Sequence, residues 1–140
     1  MADEARGSVL FESERNIVDD LAEETGNLFR YWAENHLDMD QMVAQYFDSH
    51  LRENVDKRYA RCCTQAWDEM AQQFPPVKGN QVYDPTLCEW LGHFYTYLQS
   101  YTRTSSRELI HKYSFKTMYP RSNVLHDLDM DVAVRMVEGT

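Results

Sequence analysis

The chain has 140 residues and a formal net charge of −9, from 14 basic and 23 acidic residues. That length fits one domain able to bury roughly 68–70% of its unfolded surface without a metal or disulfide staple, and a 43% hydrophobic fraction argues against wholesale disorder. No run of about 18 apolar residues occurs, which excludes a membrane span, and Met1-Ala2-Asp3-Glu4 lacks the basic stretch and apolar core expected of a secretory signal.

Residues 1–12 read as a flexible segment and 13–140 as a single helical domain. The dominant hydrophobic period is 3.6, and only five glycines and four prolines punctuate it. A first helix is expected over about 13–35, with Ile17, Val18, Leu21, Leu28, Phe29 and Trp32 on one side. Thr25-Gly26-Asn27 weakens its middle and predicts a kink or a split. A second helix starts after Asp38, an N-cap residue type, and carries Met39, Met42, Val43, Tyr46, Phe47 and Leu51. A third is expected over about 55–74 and ends at Pro75-Pro76, because proline supplies no backbone donor. Residues 75–84 form the clear loop.

Asp84-Pro85 opens the most apolar helix, over about 85–101, with proline at the first helical position. Leu87, Cys88, Trp90, Leu91, Phe94 and Tyr95 cover so wide an arc that this helix is expected at the centre. On its aromatic surface Trp90, Phe94 and Tyr101 lie near one face, while Tyr97 turns away. Ser105-Ser106-Arg107-Glu108 reads as a capping box. A further turn is expected over 114–119, before Pro120. The last helix begins near Asp129 and stops at Gly139. Leu37-Asp38-Met39-Asp40 recurs as Leu128-Asp129-Met130-Asp131, the same capping solution used twice. The expected fold is therefore all-α, a single compact bundle of five to six helices around a central aromatic helix.

The charge is polarised. Residues 1–24 hold eight acids and two bases, net −6, whereas residues 101–121 hold five bases and one acid, net +4. An acidic face repels a phosphate backbone, so direct nucleic-acid binding is not expected. The cysteines Cys62, Cys63 and Cys88 are odd in number and two are adjacent. Together with the missing signal, that predicts reduced thiols in a cytoplasm.

Tests for familiar chemistry fail one by one. Asp127, Asp129, Asp131 and Glu138 occupy positions 1, 3, 5 and 12 of a calcium loop, but Val132 stands where glycine is needed and Arg135 where a ligand is wanted. His36, His50, His93, His111 and His126 form no i, i+4 pair, and no Cys-x-x-Cys occurs. Nothing resembles a nucleophile elbow or a phosphate-cradling glycine loop. No metal, cofactor or catalytic residue is expected, and the chain is read as a non-enzyme. Two surfaces remain as binding candidates. One is the acidic quartet Asp19, Asp20, Glu23 and Glu24. The other is an aromatic-basic stripe of Tyr97, Tyr101, Arg103, Arg107 and Tyr113, residue types that dominate binding hot spots.

Several strings resemble a pattern in small bacterial proteins of gut anaerobes associated with toxin–antitoxin or mobile-element loci. They are Trp90-Leu91-Gly92, Tyr95 and Tyr97, Ser105-Ser106-Arg107-Glu108-Leu109-Ile110, Met118-Tyr119 and Leu125-His126-Asp127-Leu128-Asp129. Phe29-Arg30-Tyr31-Trp32 and Leu37-Asp38-Met39-Asp40 are similar to their N-terminal half. Asp127 stands where glutamate is common, and Arg121-Ser122-Asn123 replaces a more apolar approach. The resemblance implies an intracellular protein that acts by binding another protein, and it singles out His126 as a further candidate for partner binding, beside the plainer expectation that His126 caps or hydrogen-bonds the turn before the last helix.

The expected function is thus a small acidic protein-binding module that neutralises or regulates a partner, antitoxin-like. The partner is a toxin or a nucleic-acid-handling enzyme, with no membrane involved and a homodimer left open. One alternative is a phage-encoded inhibitor of a nucleic-acid-handling defence enzyme, of anti-restriction or anti-CRISPR type, acting by occlusion or mimicry. A second is an enzyme whose site assembles from distant residues.

Overall fold

A computed structural model describes the backbone of residues 2–58 and 60–139 and the side-chain surroundings of residues 15–58 and 62–139. Among the described residues the chain is all-helical. It runs α1 (Ala2–Glu34), α2 (Met39–Phe47), α3 (His50–Asp56), α4 (Ala60–Cys63), α5 (Trp67–Ala71), α6 (Pro85–Thr102), α7 (Ser106–Lys112), α8 (Phe115–Leu125) and α9 (Met130–Glu138). The flexible segment expected over 1–12 falls on residues whose side chains lie outside the described set. No helix among the described residues is long and apolar enough to cross a membrane.

Short polar side chains set most of the helix starts. Asp38 accepts from the Gln41 N–H at 3.1 Å, Ser49 from Arg52 at 3.1 Å and Asp84 from Thr86 at 2.8 Å. Ser105 accepts from Glu108 at 3.2 Å and Ser114 from Thr117 at 3.3 Å. Each bond satisfies a donor that a helix start leaves unpaired. Ser49 therefore begins a new helix where the apolar stripe suggested that α2 would continue to Leu51. The two Leu-Asp-Met-Asp strings are not equivalent, because Asp38 caps through its side chain whereas Asp129 makes no side-chain cap bond.

The long third helix expected from sequence is broken into α3, α4 and α5. Arg58 takes a left-handed backbone, φ 61°, just past α3. Its guanidinium donates to the Val55 carbonyl at 2.8 Å and to Gln99 at 2.9 Å, which helps hold that conformation. Pro120 does not stop α8, which continues to Leu125. Burial of Phe115, Met118, Ser122 and Leu125 holds the helix through the missing donor.

The tightest packing is between α1 and α6. A Cβ added to Gly92 would lie 2.6 Å from the Gly26 Cα and 2.7 Å from both the Gly26 nitrogen and the Thr25 carbonyl oxygen. Two backbones this close leave room only for hydrogen on either side. Gly26 serves that approach, and α1 passes through Thr25-Gly26-Asn27 without a break. The core then fills with aromatic rings. Phe29 meets Trp32, Tyr46, Phe47 and Tyr95 with ring centroids 5.6 to 6.4 Å apart. The Trp32 pair is stacked and the other three are edge-to-face, and both arrangements add to the hydrophobic burial. Helices α8 and α9 also pack on α6.

One ion lies inside this core. The Arg52 guanidinium is fully buried. It donates to the Ser106 hydroxyl at 2.9 Å and the Tyr46 hydroxyl at 3.1 Å, lies 3.5 Å from Asp56, and sits 5.1 Å from the Phe47 ring centroid. Asp56 in turn accepts from the Ser106 N–H and hydroxyl, both at 2.7 Å. Among the described residues this buried charge ties α2, α3 and α7 together; its Nε and Nη1 are hydrogen-bonded, whereas its Nη2 is buried without a hydrogen-bond partner, a cost that burial of an ion carries.

Candidate functional site

Arg15, Val18 and Asp19 of α1, the C-terminal end of α6 and the start of α9 border an open groove of about 580 Å³. Tyr97, Tyr101 and Met130 present its apolar surface over the buried Val18 and Val134, and Arg15, Asp19, Arg103 and Asp131 stand at its polar edges. The groove is of the size that ligand and anchor pockets have, about 300–1,000 Å³.

Each wall has a local cause. Tyr97 and Tyr101 are one helical turn apart on α6 and face the same way, so the expected divergence of Tyr97 from Tyr101 is not found. Met130 and Val134 are likewise one turn apart on α9. The Tyr97 hydroxyl donates to Asp19 at 2.5 Å and joins α6 to α1. Burial, with the neighbouring Asp19 carboxylate, pushes the Tyr97 phenol up from its ordinary value, so it remains a donor. Tyr101 is 58% exposed, an apolar ring facing solvent at the mouth. Arg103 closes α6 in a left-handed conformation, φ 56°, with its N–H on the Gln99 carbonyl at 2.8 Å. Glycine usually takes that position, and a side chain there costs about 1–2 kcal/mol.

The other expected binding residues scatter. Glu24 is turned inward, where its carboxylate accepts from the Trp67 N–H at 2.7 Å and caps α5, whose own N-cap Ala66 has no side-chain acceptor. Asp20 and Glu23 are exposed on α1. Arg107 reaches away from the groove to Asp48, 2.7 Å from its carboxylate and 2.9 Å from its carbonyl. With Arg103 it borders a smaller hollow of about 350 Å³ beside α3. Tyr113 is a core residue whose hydroxyl donates to Glu138 at 3.2 Å. His126 caps α8, its Nδ1 2.9 Å from the Ser122 carbonyl, and Asp127 lies 3.4 Å from its other ring nitrogen. The structure therefore brings Asp19, Tyr97, Tyr101 and Arg103 together and parts them from Glu24, Arg107, Tyr113 and His126.

Sequence reasoning missed Val18, Met130 and Val134. They belong to the apolar stripes of α1 and α9, and a stripe does not reveal which of its members lies at the floor of a groove. Among the described residues no group of three or more His, Cys, Asp or Glu side chains gathers as a metal site would require. His93 lies against α1, where a Cβ on Gly26 would come 2.5 Å from its ring. Burial holds its pKa below the ordinary value of 6.5, against the opposing pull of Glu89 and Glu23. The chain matches no family model, no curated protein and no solved structure.

Proposed function

We propose that this chain is an acidic protein-binding module that restrains a partner protein by occlusion, antitoxin-like. One observation carries the reading: Asp19, Tyr97, Tyr101 and Arg103 border a single open apolar groove. Tyrosine and arginine around a concave apolar floor are the residues that anchor protein partners. The resemblance to proteins of toxin–antitoxin and mobile-element loci supports the same class, with a toxin or a nucleic-acid-handling enzyme as partner. Free thiols at Cys62, Cys63 and Cys88 fit action in the cytoplasm. On this reading the five helices of nine residues or more, α1, α2, α6, α8 and α9, form the bundle, with aromatic α6 at its centre. Nucleic-acid mimicry needs freely presented carboxylates, and Asp19 and Glu24 are engaged by Tyr97 and Trp67. That favours occlusion.

The experiment is photo-crosslinking in the native host, with the reactive group at Tyr101 or at Val124, which is 69% exposed on α8. A partner trapped from Tyr101 alone is the expected result. Equal trapping from both positions, or none from Tyr101, overturns the proposal.

A further inference from the structure

We infer that Cys62 and Cys63 form a redox switch, in which oxidised glutathione joins the two thiols and the bond between them unwinds α4. The inference does not rest on the protein-binding reading and concerns residues away from the groove. Three observations support it. The first is access. Cys62 is half-buried and lines an open hollow of about 660 Å³ with His50, Asn54, Thr64, Gln65 and Glu69. Cys63, the next residue, is buried, and its thiol donates to the Val55 carbonyl at 3.6 Å. Burial pushes the Cys63 thiol up, against the opposing pull of the Arg58 and Arg52 guanidinium groups. A disulfide arriving from solvent therefore meets Cys62 first, and Cys63 becomes a nucleophile as α4 opens.

The second is geometry. Successive side chains on a helix point about 100° apart, which sets their Cβ atoms about 5 Å from one another. A disulfide needs those atoms about 3.5–4.5 Å apart. Cys62 and Cys63 both lie in α4 (Ala60–Cys63), so that helix and that bond exclude each other. The reduced pair and the joined pair demand two different backbones, which is what a switch requires. With four residues, α4 is also too short to persist without its packing.

The third is location. Cys63 joins Leu21 and Val55 in a small apolar cluster beside the main aromatic core, with Ile17, Leu51 and Cys62 packed against it. This cluster fastens α3 and α4 to α1. Drawing Cys63 out dismantles it while the rings around Phe29 keep their contacts, so the change stays local. Disulfides that form in reducing compartments are typically transient and redox-sensing.

The chemistry is two thiol–disulfide exchanges. The Cys62 thiolate attacks one sulfur of oxidised glutathione, the glutathione disulfide breaks, and one glutathione leaves as a thiolate that takes up a proton. The Cys63 thiolate then attacks the Cys62 sulfur of the mixed disulfide and expels the second glutathione in the same way. Two protein thiols are oxidised and one oxidised glutathione is reduced to two thiols. Reduced glutathione in excess reverses both steps.

The test equilibrates the whole chain with mixtures of reduced and oxidised glutathione, quenches in acid, and alkylates the remaining thiols in denaturant before peptide mapping. The expected product is a peptide that carries both Cys62 and Cys63, is not alkylated and is lighter by two hydrogens. Cys88 should be alkylated in the same sample, since burial pushes that thiol up to about 12. Hydrogen exchange over residues 60–64 should rise by at least about tenfold in the oxidised protein while α6 stays protected, and reduction should restore it. Cys62→Ser should abolish both effects. Cys63→Ser, whose hydroxyl can keep the bond to Val55, should stop at a glutathione adduct on Cys62. Melting curves of the reduced variants check that each folds as the parent does.

Thiols that stay free in excess oxidised glutathione would overturn the inference. So would an adduct that persists on Cys62 in the parent chain, or a disulfide that joins two chains. A joined pair with unchanged exchange over 60–64 would also overturn it, because α4 would then tolerate the bond.

Discussion

Replacing Gly92 with alanine adds one methyl group at the crossing of α1 and α6. That carbon would sit 2.6 Å from the Gly26 Cα, 2.7 Å from its nitrogen and 2.7 Å from the Thr25 carbonyl oxygen. Carbon atoms in good contact stand about 3.5–4.0 Å apart. The two helices must therefore part by about 0.9 Å, and all three obstructing atoms are backbone, so no side chain can swing aside. A gap of about 0.5–1 Å forfeits a quarter to a half of each dispersion contact it opens. Overpacking typically costs about 1–3 kcal/mol, and a defect that separates two whole helices belongs at the upper end. The alanine returns about 1 kcal/mol through helix propensity. The expected net loss is about 2 kcal/mol, or about 8 °C in Tm for a chain of this size. Thermal and urea unfolding followed by circular dichroism reads it directly. Gly139→Ala is the control, since its Cβ would meet the Arg135 carbonyl oxygen at 3.1 Å, with the next atom at 3.9 Å, and it should shift stability by less than about 0.5 kcal/mol. If Gly92→Ala melts at or above the parent temperature, the helices do not approach as described.

Arg52→Ala should cost about 3–5 kcal/mol, because it leaves Asp56 and Ser106 without their buried cation, while Arg52→Met should cost less by filling the space without a charge; chemical denaturation separates the two. Stability should fall on acidification through His93. Its folded-state pKa is lowered by burial, so the unfolded chain takes up the proton first, and stability declines as pH drops through the ordinary value of 6.5 and levels off below the folded value. Asp40 acts in the opposite sense, since burial, with Asp38 nearby, raises its pKa and the folded state takes up that proton before the unfolded chain as pH falls, which adds stability on acidification. A urea midpoint measured across this range should be flatter in His93→Gln, and an unchanged slope would remove His93 as the cause. Glu24→Ala should cost about 1 kcal/mol through the lost cap on α5, with Trp67 fluorescence as a local reporter, and Glu24→Gln should retain most of the bond.

Periodicity located α6 and its start because Asp84-Pro85 is a local signal and the apolar arc is long. It failed over 50–74, where the decisive features are Ser49 as a new cap and Arg58 in a left-handed conformation. Neither interrupts the apolar stripe, so the stripe reads as one helix. Gly26 looked like a weakness because propensity scores a glycine by its own helix and knows nothing of Gly92, 66 positions away. Pro120 looked like a stop for the same reason. In the groove, Tyr97, Tyr101 and Arg103 were legible as binding residue types, and Asp19 as part of an acidic run. Their meeting place was not, because it depends on where α9 lands on α6. Arg107 and Tyr113 shared the residue types and not the location.

The cap on α5 has a consequence for the order of assembly. α5 has five residues, fewer than a helix needs to persist alone in water. Its first donor is satisfied by Glu24, 43 positions earlier. The loop between the two must close before α5 gains that bond, so α5 should form late and open early, as a unit distinct from the α1–α6 pair. Its amides should exchange with solvent while those of α6 remain protected. The chain would then begin to open at α5, while the α1–α6 crossing at Gly26 and Gly92 stays closed.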